Sequence, residues 1–324
     1  MDTTDLAHRI AAAERRALAR GITLVESARP DHRAQALEVL AALPRDRQAL
    51  RIGLSGTPGV GKSTFIEAFG MMLVRLGLRV AVLAIDPSSA RSGGSILGDK
   101  TRMDLLSREP NAFIRPSPSQ THLGGVARRT REAVALCEGA GFDVVLIETV
   151  GVGQSETVVA QMADLFLLLL APAGGDELQG VKRGIMEMAD MILINKADGD
   201  LKPAATRTCA DYAGALRLLR KRPQDPAGYP RAMMVSALHE EGLEAAWADM
   251  QTLADWRRQA GFFDGTRAAQ ARYWFEEEVR SALLAQLKAD PVRAAMDALA
   301  GQVEAGEISP GDAARDLISH HLSR

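Results

Sequence analysis

The stretch Gly56-Thr57-Pro58-Gly59-Val60-Gly61-Lys62-Ser63-Thr64 satisfies the pattern G-x-x-x-x-G-K-[ST] at each constrained position. Its flanks make it restrictive. Arg51 to Ser55 ahead of it reads as a short buried strand. From Lys62 to Leu76, the residues Phe65, Phe69, Met72, Leu73 and Leu76 fall on one helical face. Strand, glycine loop and helix in that order are the context of a phosphate-binding loop. Glycines at 56, 59 and 61 let backbone N–H groups turn inward with no Cβ in the way. The helix N-terminus adds the positive end of its dipole at the same place. In such a loop Lys62 reaches the β- and γ-phosphates and the Ser63 hydroxyl sits on Mg²⁺. A chance glycine turn would need neither flank.

Downstream, apolar runs alternate with helical stretches. The runs are Arg79–Ile85, Asn111–Arg115, Asp143–Ile147, Asp164–Leu170, Met191–Ile194 and Arg231–Val235. Helical patterns at 124–140, 203–222 and 241–256 separate most of them. Continuous apolar strands between helices predict an α/β fold, a mostly parallel sheet covered on both faces. In such sheets ligands sit beyond the carboxyl ends of the strands.

The two ends read as helical. Residues 1–48 form a module in which Leu6, Ile10, Ala13, Ala17 and Leu24 recur at helical spacing, with Asp31 able to cap a helix carrying Leu37, Leu40 and Leu43. Residues 49–262 form the nucleotide domain. Residues 263–324 form a helical arm, with a long helix from Ala268 to Leu287 and others starting at Pro291 and Pro310. The apolar surface of that arm predicts a homodimer. Hydrophobic residues are 47% of 324, too many for a disordered chain. A formal net charge of -2 sets up no field toward nucleic acid or a membrane surface. No apolar run reaches the roughly 18 residues of a membrane span. The N-terminus lacks a signal-peptide core, and Cys137 and Cys209 are lone thiols suited to a reducing compartment. The expectation is a cytoplasmic protein with no nucleic-acid or membrane partner.

Asn195-Lys196-Ala197-Asp198 says which nucleotide. It follows the strand 191–194 directly, as an N-K-x-D guanine box should. A carboxylate at 198 accepts from both N1–H and the 2-amino group of guanine. Adenine would leave it unpaired. Lys196 is expected to lie along the base. Ser236-Ala237-Leu238, after the strand at 231–235, suits a companion loop contacting guanine through backbone N–H groups. The metal needs oxygen ligands besides Ser63. Asp86 and Glu148 end successive strands and face the γ-phosphate side, where Gly151 N–H can sense that phosphate. Each acid alone could be a helix cap; their shared placement favours the metal. Two glycine-rich segments, Arg91–Arg102 and Gly174–Lys182, have the composition of switch loops.

These motifs resemble the MeaB/ArgK (methylmalonic aciduria type A) family of SIMIBI-class P-loop G proteins. The resemblance rests on Ala84–Ser89, Ser92–Met103, Ile114–Ser119, Glu148–Glu156, Gly175–Gly180 and Asn195–Asp198, and runs from roughly 50 to 240. It implies a GTPase, converting GTP to GDP and phosphate, that gates adenosylcobalamin loading and protects an adenosylcobalamin-dependent acyl-CoA mutase of the methylmalonyl-CoA type. It implies Mg²⁺ held by Ser63, Asp86, Asp99 and Glu148. It also implies Gln179 and Lys182 as residues coupling hydrolysis to the partner. Asp99 rests on the resemblance alone. Cobalamin is expected on the mutase and not on this chain; an adenosyltransferase is a further candidate partner. No general base stands out, so hydrolysis would depend on Lys62, the metal and a positioned water. Rival readings are a nickel-insertion GTPase, which usually carries His-rich or Cys-x-x-Cys motifs, a transport-linked kinase or ATPase, against which Asp198 argues, and a nucleotide-regulated scaffold.

Overall fold

The computed structural model describes residues 2–85, 103–117, 123–149, 155–172, 183–219 and 221–322. Three helices come first: α1 (Thr3–Ala11), α2 (Arg15–Glu26) and α3 (Pro30–Ala42). Then follow β1 (Leu50–Gly56), α4 (Lys62–Arg75), β2 (Val80–Ile85), α5 (Asp104–Arg108), β3 (Ala112–Ser117), α6 (Leu123–Gly139), β4 (Val144–Thr149), α7 (Ser155–Ala160) and β5 (Leu165–Leu170). The domain continues with α8 (Arg183–Met188), β6 (Met191–Ile194), α9 (Lys202–Arg217), β7 (Arg231–Met234) and α10 (Leu243–Gln259). The chain ends with α11 (Phe262–Gln286), α12 (Asp290–Glu304) and α13 (Pro310–Leu317). Two compact units emerge, Met1–Ala268 and Ala269–Arg324.

In the first unit seven strands make one sheet in the order β3-β2-β4-β1-β5-β6-β7, every pair parallel. Side chains alternate across it. Ile52, Leu54, Val144, Leu146, Leu165, Leu167 and Leu169 join Phe65, Phe69 and Leu73 of α4 and Met250 and Leu253 of α10 in one core. Full burial of each such side chain contributes about 1.5–3 kcal/mol. The other face is as close: a Cβ on Gly53 would lie 2.7 Å from Val159 Cγ1 on α7. At the amino ends of the strands, aspartates replace the missing pairing. Asp164 accepts from Arg51 N at 2.8 Å and from Arg267, and Asp190 accepts from Phe166 N at 2.7 Å and from Arg257.

The helices α1–α3 pack on one another and on α6. Ion pairs join them to the sheet domain: Arg33 to Glu132 at 2.6 Å, and Arg115 to Glu26. Three expectations about local structure need correcting. The periodic run through Ala13 is not one helix, because Ala13 adopts φ 64 and separates α1 from α2. Asp31 does not cap α3: the helix begins at Pro30 with Arg29 as N-cap, and the Asp31 carboxylate binds Arg29. On that helix Ala36 and Val39 are buried while Leu37 is half exposed. Leu76 leaves the buried face of α4. The helix ends at Arg75, Gly77 turns to φ 84, and Leu78 N donates to Leu73 O, so Leu76 points outward.

In the second unit α12 and α13 pack together, with Val292, Ala313 and Leu317 buried. Tyr273 and Trp274 on α11 meet edge to face, and Phe275, Val279, Leu283 and Leu284 of the same helix are exposed. Among the described residues no helix is long and apolar enough to cross a membrane.

Candidate functional site

The carboxyl ends of β1, β4, β6 and β7 converge on one rim, and the loops leaving β1, β6 and β7 are tied together there. Gly56 ends β1 opposite Leu169 of β5, where a Cβ would lie 2.3 Å from the Leu169 carbonyl oxygen, so no side chain fits. Thr57 to Gly59 form the outer part of the loop, with Pro58 and Gly59 exposed, and Val60 turns inward to burial. Gly61 has φ 89 and starts α4. It is constrained twice, since its Cβ would also meet Asn195 Nδ2 at 2.9 Å.

Lys62 folds back over the loop. Its ammonium donates to Gly56 O at 2.8 Å and Thr57 O at 3.3 Å. Burial pulls its pKa below the ordinary lysine value, while the nearby negative charge of Glu148 works the other way. Ser63 and Thr64 follow in the first turn of α4. Glu148 stands on β4 level with Leu54 of β1 and Ala84 of β2, and is buried. Beside it, the Thr149 hydroxyl donates to Ser55 Oγ at 3.1 Å. A hydroxyl at Ser63 and a buried carboxylate at Glu148 are hard oxygen donors, the ligand chemistry that Mg²⁺ takes, so these residues fit that ion. Asp86, Asp99, Gly151, Gln179, Lys182 and the two glycine-rich segments lie outside the described residues.

Asn195 holds the base side to the phosphate side. It is 2% exposed and uses both ends of its amide. Nδ2 donates to Val60 O at 3.0 Å, and Oδ1 accepts from Ala237 N at 3.0 Å. Lys196, at φ 59, donates from Nζ to Gly59 O at 2.8 Å. The Asp198 carboxylate accepts a hydrogen bond from the Ser236 hydroxyl, whose oxygen accepts from His239 N at 3.2 Å. Ala237 is buried and Leu238 is 72% exposed. Gly242, at φ 75, closes the loop where a Cβ would meet Met234 O at 2.6 Å. The described residues of both motifs therefore meet on one rim.

Two roles here were not readable from the motif pattern. Asn195 is the joint between three loops, and the Ser236 side chain, not only its backbone, engages the site through Asp198. The available signal was chemical: an amide offers a donor and an acceptor at once, and a hydroxyl can serve a carboxylate while accepting from its own backbone.

Comparison with known proteins places the chain in a family. The family model described as methylmalonyl-CoA mutase-associated GTPase MeaB matches residues 18–292. The mitochondrial methylmalonic aciduria type A homolog of Mus musculus is 48% identical, over 96% of this chain and 77% of its own. The GTPase ArgK of Escherichia coli K12 is 47% identical, over 87% of this chain and 85% of its own. A solved structure named as LAO/AO transport system kinase superposes with TM-score 0.75 at 36% identity, covering 98% of this chain and 96% of that one. A P-loop site on an all-parallel sheet, matched by that family across most of its length, makes this chain a GTPase of the methylmalonyl-CoA mutase-associated MeaB family.

Proposed function

We propose that this GTPase reads guanine with Asp198 and holds the triphosphate with Lys62 and the amides of residues 56–64, and that hydrolysis serves an adenosylcobalamin-dependent acyl-CoA mutase. The observation that carries the nucleotide half is the Asn195 joint. It places the Asp198 loop, the Ser236–Leu238 loop and the phosphate loop on one rim. The nucleotide then spans the joint, with its phosphates at the α4 N-terminus and its base between Lys196, Asp198 and the Ser236–Leu238 loop. Mg²⁺, when bound, would supply positive charge against the phosphates. Ser63 and Glu148 would hold it, with Asp86 and Asp99 as further ligands. Lys62 stabilises the charge that builds on the phosphoryl oxygens. Gln179 and Lys182 couple turnover to the partner. Residues 1–48 are a helical module, 49–262 the GTPase domain and 263–324 a dimerisation arm.

The mutase half rests on the family name and on the methylmalonic aciduria homolog. Phosphate release, measured with and without each candidate acyl-CoA mutase, tests it. A rise in turnover with one mutase is the expected result. Unchanged turnover and no pull-down with any of them would remove the partner and leave the GTPase standing.

A further inference from the structure

At the opposite end of β1 from the phosphate loop lies a cavity of about 280 Å³. Arg51 sits at its edge near the start of the strand, and Gly56 ends that strand. Five steps of roughly 3.3 Å put the two sites about 17 Å apart. Part of its lining is apolar: Leu40, Leu43, Pro44 and Ala135. The rest is polar: the guanidinium groups of Arg45, Arg47, Arg51 and Arg267, with Gln48 and the carboxylate of Glu138.

The charges of the lining do not cancel. Arg51 takes both oxygens of Glu138, at 2.9 and 2.7 Å. Arg267 is matched by Asp164 at 2.7 Å. Among the described residues Arg47 meets no carboxylate, and its Nη1 donates to Ala11 O at 2.9 Å and Gly139 O at 3.0 Å. Arg45 is exposed and has no hydrogen bond or ion pair among the described residues. Two of these four guanidinium groups thus have no counter-charge among the described residues, in a chain whose overall charge is -2. A guanidinium has five N–H donors and no acceptor, in a fork that fits the paired oxygens of an oxyanion.

We propose that this cavity is a binding site for a small amphiphilic anion, a carboxylate or phosphate monoester with a short apolar body, separate from the nucleotide site. Arg45 and Arg47 take the oxyanion, and the apolar part of the lining takes the apolar body. The shared chemistry of head group and tail defines the ligand, and two probes tell the head groups apart.

The test is calorimetric titration of the full chain, saturated with GDP and Mg²⁺, with butyl phosphate and separately with hexanoate in chloride buffer. One-to-one binding is expected for at least one probe, with a dissociation constant of about 1 mM or tighter. The probe that binds names the head group. Arg45→Glu, which disrupts no internal contact, should weaken binding by about tenfold or more through loss of a charge-assisted pair. Leu40→Ser should weaken butyl phosphate without changing the response to inorganic phosphate. The proposal fails if neither probe saturates by about 10 mM, if Arg45→Glu binds like the parent, or if a probe binds only to chain freed of GDP.

Discussion

At the scale of single residues, Asp198 and Asn195 make separable claims. Replacing Asp198 by Asn exchanges an acceptor pair for one acceptor and one donor, so guanine keeps the bond from N1–H, loses the one from its 2-amino group and meets a donor there instead, while xanthine gains a match. GTP affinity should fall by at least about 2 kcal/mol, roughly thirtyfold, with preference moving to xanthosine triphosphate. Competition binding against a fluorescent GDP analogue checks this, and intact GTP affinity would remove Asp198 from the base site. Asn195→Ala acts on the joint. It leaves Val60 O and Ala237 N without a partner, at a cost of about 1–3 kcal/mol for each group stranded. Both the melting temperature and GDP affinity should drop, because the same amide serves two loops. Loss of affinity without loss of stability would mean that Asn195 contacts ligand and is no joint. The motif letters gave these positions, since residue types at fixed spacing are what a sequence displays. The partners of Asn195 were not legible, because Val60 and Ala237 come near it only once β1, β6 and β7 lie side by side.

At the scale of elements, the sheet was readable and the helix ends were less so. Each apolar run from Arg51 to Val235 became a strand within a residue or two of its expected limits, because a strand buried on both faces must be apolar throughout. Helical periodicity carries no comparable stop. The pattern through Ala13 runs unbroken although the backbone does not, and Leu76 keeps the spacing of α4 one residue past its end. The signal in the second case was Gly77, a residue suited to a left-handed turn after a helix. Ala13 offers no such signal, and its strain is testable. Ala13→Gly relieves a left-handed alanine between α1 and α2 and should raise stability by about 0.5–1 kcal/mol. Thermal denaturation of the pair measures it. An unchanged or lower melting temperature would mean that the turn is not strained in solution.

At the scale of the molecule, buried ion pairs close the sheet end away from the nucleotide. Arg267 reaches Asp164 and Ala49 O from the start of α11, and its side chain is 11% exposed. Arg267→Ala leaves the Asp164 carboxylate buried beside fewer donors and should destabilise the chain by about 3–5 kcal/mol. Urea unfolding with a lower midpoint and the same slope is the expected outcome. The second unit carries a different expectation. Tyr273, Phe275, Val279, Leu283 and Leu284 leave an apolar surface on α11, and the proposal of a homodimer through this arm rests on the cost of exposing it. Light scattering on the eluting peak decides the matter, and a monomer at micromolar concentration counts against the arm as an interface. The sequence does not name the occupant, because an apolar surface records that something covers it and not what.

The strand order has a consequence for how the chain is made. β1 lies between β4 and β5, both far downstream in sequence. While the ribosome is still translating those segments, Ile52 and Leu54 have emerged without either neighbour, next to a loop that will later hold phosphate. The nascent polypeptide thus carries its future centre uncovered through much of synthesis, the interval in which wrong pairing and aggregation compete with folding.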